Sequence, residues 1–200
     1  MRRLVDVVVS ATALAALSPL LLLVAIAVAF DSRGPVFYLA PRVGQFGRVF
    51  RMWKFRTMIQ DAARVGPAIT GNADPRITKL GTLLRRTKID EIPQLLNVLA
   101  GDMTLVGPRP ESPDIVGYYS EAQRAVLDVK PGVTGVVQLH SGEESDNIPA
   151  GVNPRDFYIS HLMPQKIQQD LDYLKTRTAR TDAIVLLQTA MYVVRVCAGR

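Results

Sequence analysis

Cysteine is almost absent from this 200-residue chain: there is one, Cys197. A single thiol cannot form an internal disulfide, and no Cys-x-x-Cys zinc site can be built from it. Histidine is scarce as well. His140 and His161 stand apart, in neither a His-x-x-His nor a His-Glu-x-x-His spacing, so a structural transition-metal centre lacks ligands. Acidic residues are outnumbered: 24 Lys and Arg against 18 Asp and Glu give a net charge of +6. That balance suits an acidic partner, whether nucleic acid, anionic lipid or a phosphorylated substrate. Basic residues interleaved with aromatics are missing, as is any nucleic-acid motif, so nucleic acid is not the expected partner. Internal repeats and low-complexity tracts are absent too. The length fits one domain.

Charge is missing altogether from residues 7–30, VVVSATALAALSPLLLLVAIAVAF. About 20 apolar residues suffice to span a bilayer. The run is too long for the apolar part of a cleaved signal peptide, and AVAF-DSRGP is a poor cleavage context. At its centre lies Ser18-Pro19. Proline lacks an N–H and crowds the carbonyl four residues back, so a kink is expected. A serine hydroxyl can satisfy part of the backbone so freed. Arg2 and Arg3 precede the run, and Arg33, Arg42, Arg48 and Arg51 lie beyond it. The positive-inside rule then prefers both ends on the cytoplasmic side. A helix that enters one leaflet, breaks at Ser18-Pro19 and turns back meets that preference. A plain kinked transmembrane helix is the alternative, and the residues leave both open.

Beyond the apolar run the chain reads as helix and strand together. VFYLAPRVGQFGRVFRMWKFRTM has the pattern of a β-hairpin turning at Gly44-Gln45-Phe46-Gly47. On its second strand Phe50, Met52, Lys54 and Arg56 share a face. Lys54 and Arg56 then either reach a common anion or form a solvated basic rim. Asp74-Pro75 reads as a helix N-cap with proline in the first turn. Ile77, Leu80, Leu83 and Leu84 give that helix an apolar stripe. Ile92, Leu95, Leu96 and Leu99 do the same for a helix beginning near Asp90, which Gly101 stops. LVGPRPESP reads as a rigid loop, residues 133–139 as a short β-like run, and residues 141–155 as a polar loop. Ile167, Leu171 and Leu174 line one side of a further helix. The last helix carries Asp182 as its expected cap, and lies in the core or on a membrane surface.

The chemistry concentrates in LRRTKIDEIPQLLN, residues 84–97. Asp90 and Glu91 stand together after Arg85, Arg86 and Lys88. Pro93 must sit in a first helical turn, where free N–H groups and the helix dipole favour negative charge. Asp90 is thus an N-cap, or a carboxylate held for attack on phosphorus. The second acid exceeds what a cap needs, and the cations favour ionised carboxylates. Arg109 is set between Pro108 and Pro110, a rigid mount suited to bidentate phosphate contact. A salt bridge to Asp102 or Glu111 is the other use for it. A carboxylate approaching a diphosphate meets like charge, which a divalent cation and basic side chains would cancel. Oxygen ligands without soft donors favour Mg²⁺.

KIDEIPQLLNVLAGDMTLVGPRP, the downstream VKPGVTGVVQ and the apolar run interrupted at Ser18-Pro19 resemble the bacterial sugar transferases. These are monotopic polyprenyl-phosphate phosphoglycosyl transferases, and the likeness is to the small members and runs from about residue 1 to about residue 195. The resemblance implies an α+β fold. A re-entrant membrane helix over residues 1–32, broken at Ser18 and Pro19, would precede a catalytic domain over residues 33–200. That domain would hold a small β-hairpin and amphipathic helices at the membrane interface. It would lie on the cytoplasmic face of the bacterial inner membrane, against inner-leaflet phospholipid, and an oligomer is possible. The implied reaction moves a sugar 1-phosphate from a UDP-sugar to polyprenyl phosphate by a ping-pong route that releases UMP. In this light Asp90 is the nucleophile and Mg²⁺ ligand, and Glu91 its acid/base partner. Arg109, Lys54, Arg56, Arg86, Pro108, Pro110 and Gln138 would bind substrate and phosphate. Two departures stand out. QLHSGEESDN is acidic where the family often carries Gly-Arg, which bears on sugar preference and on one phosphate contact, for which another cation such as Arg155 would substitute. Lys88-Ile89 stands where Ser-Leu is common.

Overall fold

The computed structural model describes residues 2–62, 74–140, 149 and 152–197. Most of the polar loop expected at 141–155, with its acidic departure, lies outside the described residues.

The apolar run forms α1, Arg2–Asp31, one helix with Pro19 inside it. The expected break at Ser18-Pro19 does not divide it. Proline cannot donate to the carbonyl of Ala15, four residues back. The Ser18 hydroxyl donates to that same carbonyl at 2.8 Å, so the vacancy is filled locally and the helix continues. This is the one described helix long and apolar enough to cross a membrane.

The hairpin forms as its sequence pattern requires. β1, Phe37–Val43, pairs antiparallel with β2, Val49–Phe55, with Tyr38 opposite Lys54 and Val43 opposite Val49. Between them a 3₁₀ turn, Gln45–Gly47, places Phe46 at φ 57° and Gly47 at φ 75°. Alternation buries Ala40 and Met52 against Val98, Met103 and Leu105. Met52 and Val98 are fully enclosed.

The next helix begins later than Asp74-Pro75 suggests. α2 is Lys79–Thr87, and Thr78 caps it by accepting from the Gly81 N–H at 2.9 Å. Asp74 instead grips Arg76, with contacts of 2.6 and 2.9 Å. A backbone-fixing ion pair upstream of the helix competes with capping, and Ile77 is drawn into a β-bridge with Met58. Gly81 is essential to the packing: a Cβ there would lie 2.1 Å from the Thr57 carbonyl oxygen. Lys88, at φ 59°, ends α2 in the left-handed region. A 3₁₀ turn, Ile89–Glu91, and α3, Gln94–Ala100, come next. Gly101, at φ 96°, closes α3 as expected.

LVGPRP is not all loop. Thr104–Val106 is β3, and it pairs parallel with β4, Gly132–Thr134. The β-like run expected over 133–139 is strand only at its start; Val136–His140 is a short helix, α6. The pairing rests on glycine. A Cβ on Gly132 would sit 2.1 Å from the Gly107 nitrogen, and one on Gly135 2.5 Å from the Gly107 carbonyl oxygen. Gly107 donates to the Thr134 carbonyl and Gly132 to that of Pro108, both at 2.9 Å. Two loops far apart in sequence thereby become one rigid unit.

Short helices α4, Pro113–Val116, and α5, Glu121–Arg124, precede β4, and α7, Pro154–Phe157, comes after α6. A π-helical turn, Tyr158–Leu162, leads into α8, Met163–Thr176. Ile167 and Leu171 pack with Ile115, Tyr119, Val126 and Tyr158. The final helix, α9, spans Ala179–Cys197. Its cap is Thr178, whose hydroxyl accepts from the Thr181 N–H at 3.1 Å, not Asp182. Asp182 is spent on Arg177 and the Tyr173 hydroxyl. Helices and small sheets together give the expected mixed class.

Candidate active site

Asp90 and Glu91 sit on the 3₁₀ turn between α2 and α3. The left-handed Lys88 sends the chain back sharply, so both acids enter the space beside β2. Their fates then diverge. Glu91 is clasped from two sides. Lys54, from the end of β2, reaches its Oε1 at 2.7 Å. Arg109 spans both of its oxygens, at 2.6 and 3.2 Å. Burial pushes the Glu91 carboxyl up, but Arg109 and Lys54 outweigh it and hold the group well below the usual carboxylate range. Both oxygens are occupied, and a strongly depressed pKa makes a weak base. In this structure Glu91 aligns two cations, Lys54 and Arg109.

Asp90 makes no such pair. It is 5% exposed, and its Oδ1 is buried without a hydrogen-bond partner. Its pKa is raised to about 6, the net of burial pushing it up, Lys54 pulling it down, Glu91 pushing it up, and Arg85 and Lys88 lowering it. Of the flanking cations, Arg85 and Lys88 act on Asp90, where burial outweighs their pull; Glu91 is held ionised by Lys54 and Arg109 instead, because a fully paired charge tolerates burial better than an unpaired one. Nor is Asp90 a cap: the residue before α3 is Pro93, and no side chain caps that helix.

Arg109 pairs with Glu91, whereas the salt-bridge partners proposed from sequence are engaged elsewhere. Asp102 accepts from the Asn97 amide at 3.3 Å, and Glu111 accepts from the Tyr158 hydroxyl. Pro108 and Pro110 flank Arg109 on the loop that Gly107, Gly132 and Gly135 lock. Gln138, on α6, has both side-chain polar atoms buried and unpartnered. It lies under that lock, since a Cβ on Gly135 would come within 2.7 Å of its Oε1.

Two expected site residues lie elsewhere. Arg56 shares neither an anion nor a face with Lys54. It is buried and donates to the Val28 and Ser32 carbonyls, at 3.2 and 2.5 Å, and to that of Pro35. β2 ends at Phe55, so alternation stops one residue short, and Arg56 turns to close the C-terminal end of α1. Arg86 is exposed. Its neighbour Arg85 is the one that turns inward, with Nε 2.9 Å from the Thr57 hydroxyl and a charge felt by Asp90. Arg155 lies out on the surface, 3.5 Å from Asp114.

Sequence reasoning passed over Gln94. It is 1% exposed with its Nε2 unpartnered, one helical step beyond the acid pair. Asn97, three residues on, binds the backbone of β2 through Trp53 N–H and the Arg51 carbonyl. Two buried amides in a helix that otherwise reads as an apolar stripe were the available signal.

Among the described residues no group of three or more His, Cys, Asp or Glu converges as a metal cage. One buried carboxylate with a free oxygen suits a hard cation that takes its remaining ligands from a diphosphate. The class is thereby defined: an α+β protein with an apolar N-terminal helix, whose site sets a free buried carboxyl beside two cations held by the neighbouring glutamate.

The chain belongs to the bacterial sugar transferase family, whose profile matches residues 1–196. It is 39% identical over 196 residues to the UDP-glucose:undecaprenyl-phosphate glucose-1-phosphate transferase of Caulobacter vibrioides, covering 94% of this chain and 67% of that protein. It is 44% identical over 146 residues to the undecaprenyl-phosphate glucose phosphotransferase of Komagataeibacter xylinus, covering 70% of this chain but 27% of that protein. Against the N-acetylgalactosaminephosphotransferase of Aeromonas hydrophila, which acts on undecaprenyl phosphate, identity is 32% over 191 residues, 94% of this chain and 42% of the other.

Proposed function

We propose that this chain transfers a sugar 1-phosphate from a UDP-sugar to polyprenyl phosphate through a covalent intermediate on Asp90. The observation that carries the reading is the unpartnered, buried Oδ1 of Asp90 beside a Glu91 that holds Lys54 and Arg109 in register. Asp90 attacks the β-phosphorus of the UDP-sugar. The bond from that phosphorus to the bridging oxygen breaks, and UMP departs with the electron pair. An oxygen of polyprenyl phosphate then attacks the same phosphorus, and the Asp90 carboxylate leaves. Lys54 and Arg109 face the negative charge that grows on the phosphoryl oxygens, and Gln94, one helical step beyond the acid pair, offers an uncharged donor. Asp90 would also hold Mg²⁺, which when bound supplies charge neutralisation between carboxylate and diphosphate.

The membrane arrangement we infer is re-entrant: α1 bends at Ser18-Pro19 without losing its helical run, so that both of its ends lie on the cytoplasmic side. Support comes from polar ties at each end to one body. Arg3 donates to the Leu99 carbonyl at 2.9 Å near the start of α1, and Arg56 holds Ser32 at its finish. A straight crossing would put about 30 Å of hydrocarbon between those ties. Exposed Leu187 and Val194 on α9 suit a helix lying on inner-leaflet phospholipid.

The test is UMP release from UDP-glucose and from UDP-N-acetylgalactosamine, with Mg²⁺ and polyprenyl phosphate, for the wild type and Asp90→Asn. Mass spectrometry of enzyme trapped without acceptor should find a phosphosugar on Asp90. Undiminished turnover by Asp90→Asn refutes the nucleophile. No turnover by the wild type on any UDP-sugar refutes the reaction.

A further inference from the structure

We infer that Asp6, in the second turn of α1, is a positioning residue that holds β3 and, through it, Arg109. The catalytic consequence rests on the function proposed above; the structural link does not.

A carboxylate beside an apolar membrane helix is costly unless it is paired. Asp6 is buried against the body of the protein. Its Oδ2 accepts from the Thr104 hydroxyl at 2.8 Å and its Oδ1 from the Leu105 N–H at 3.1 Å. Among the described residues β3 has one strand neighbour, β4. Within β3, Thr104 donates toward that side, to the Pro131 carbonyl. Amides alternate along a strand, so the Leu105 N–H faces the edge where no described strand lies. Asp6 fills that edge.

The neighbouring residues of α1 reinforce the grip. Arg3 donates to the Val98 and Leu99 carbonyls, in the last turn of α3. Arg2 approaches Asp182 at 3.5 Å. Asp182 holds Arg177, and Arg177 donates to the Val106 carbonyl at 2.6 Å. The first two turns of the helix therefore hold α3, which lies just past Glu91, and β3, which runs through Gly107 to Arg109. Glu91 and Arg109 meet across those two elements at 2.6 Å. Loosening β3 moves one cation of the site relative to the acid pair.

Full-length protein in lipid nanodiscs decides the matter with Asp6→Ala, Asp6→Asn and Thr104→Val. All three keep the apolar run and should remain membrane-bound. Asp6→Ala should speed hydrogen exchange over residues 104–109 and leave residues 114–127 as in the wild type. It should also lower kcat/KM for the UDP-sugar by about 100-fold, the scale of a displaced catalytic group. Asp6→Asn should restore most of both, since its oxygen accepts from Leu105 and its amide donates to the Thr104 hydroxyl. Should Asp6→Ala fail to accumulate, Thr104→Val removes one bond and should change both readouts in the same direction by less. Wild-type exchange over 104–109 in these variants overturns the structural link. Faster exchange with unchanged kcat/KM overturns the positioning role. A wild type that turns over no UDP-sugar condemns the functional reading, while the exchange data still decide the role of Asp6.

Discussion

Two buried aspartates invite comparison. Asp90 lies on the turn before α3 and Asp170 in the middle of α8; they are 5% and 6% exposed. Burial raises both, to about 6 and about 7 respectively. At Asp170, Lys166 pulls the value down and Glu111 pushes it up. The Tyr119 hydroxyl lies close enough to feel the charge of Asp170. Asp90 instead has Lys54, Arg85 and Lys88 around it, and a cationic partner held by its neighbour. A raised carboxyl alone therefore does not mark a site. What separates the two is the cations around them: Lys54, Arg85 and Lys88 act on Asp90, and among the described residues Lys166 alone lowers Asp170.

The comparison is broken most severely if Asp90 proves dispensable. Asp90→Asn should lower UMP release on the order of 10⁴-fold, as loss of a nucleophile does; Asp170→Asn should leave it near wild type. Arg109→Lys comes next. A point charge cannot span both Glu91 oxygens, and steady-state kinetics should register a loss of about 100-fold. The acid limb sharpens the contrast further. Attack needs the Asp90 carboxylate, so kcat/KM should fall about tenfold per pH unit below the Asp90 pKa of about 6 and level off above it. Asp170 predicts a smaller effect, on stability. Folding raises its pKa from 3.8 to about 7. The folded form is thus penalised as the unfolded chain ionises; stability declines as pH rises through that window and is constant above it. Thermal melts of Asp170→Asn should lie about a few degrees above wild type at alkaline pH. They should coincide with it in acid below the ordinary carboxylate pKa. A melt lowered at alkaline pH would mean that the Asp170 charge is stabilising.

Legibility varied with the kind of signal. The hairpin, the Gly101 stop and the help Ser18 gives Pro19 are local, and each was readable from neighbours in the chain. Asp90, Glu91 and Arg109 were readable as a motif, and the structure brings Glu91 and Arg109 together. The errors share a cause. Asp74 and Asp182 both had cap-like positions, yet arginines nearby took them. Arg56 matched the strand period, but the strand ended at Phe55. β3 was hidden because its partner, Gly132–Thr134, lies far along the chain. Periodicity records which face a residue occupies, not what waits across from it.

From the amino-acid order alone came an apolar anchor flanked by arginines, a hairpin, and an acid pair with a proline-bracketed arginine downstream. These depend on spacing, composition and backbone restriction, which are properties of short segments. Tertiary structure alone decided which acid stays free and which is clasped, and it tied the start of the anchor to β3. Charge burial and long-range hydrogen bonds set those outcomes, and neither exists until distant segments are packed together.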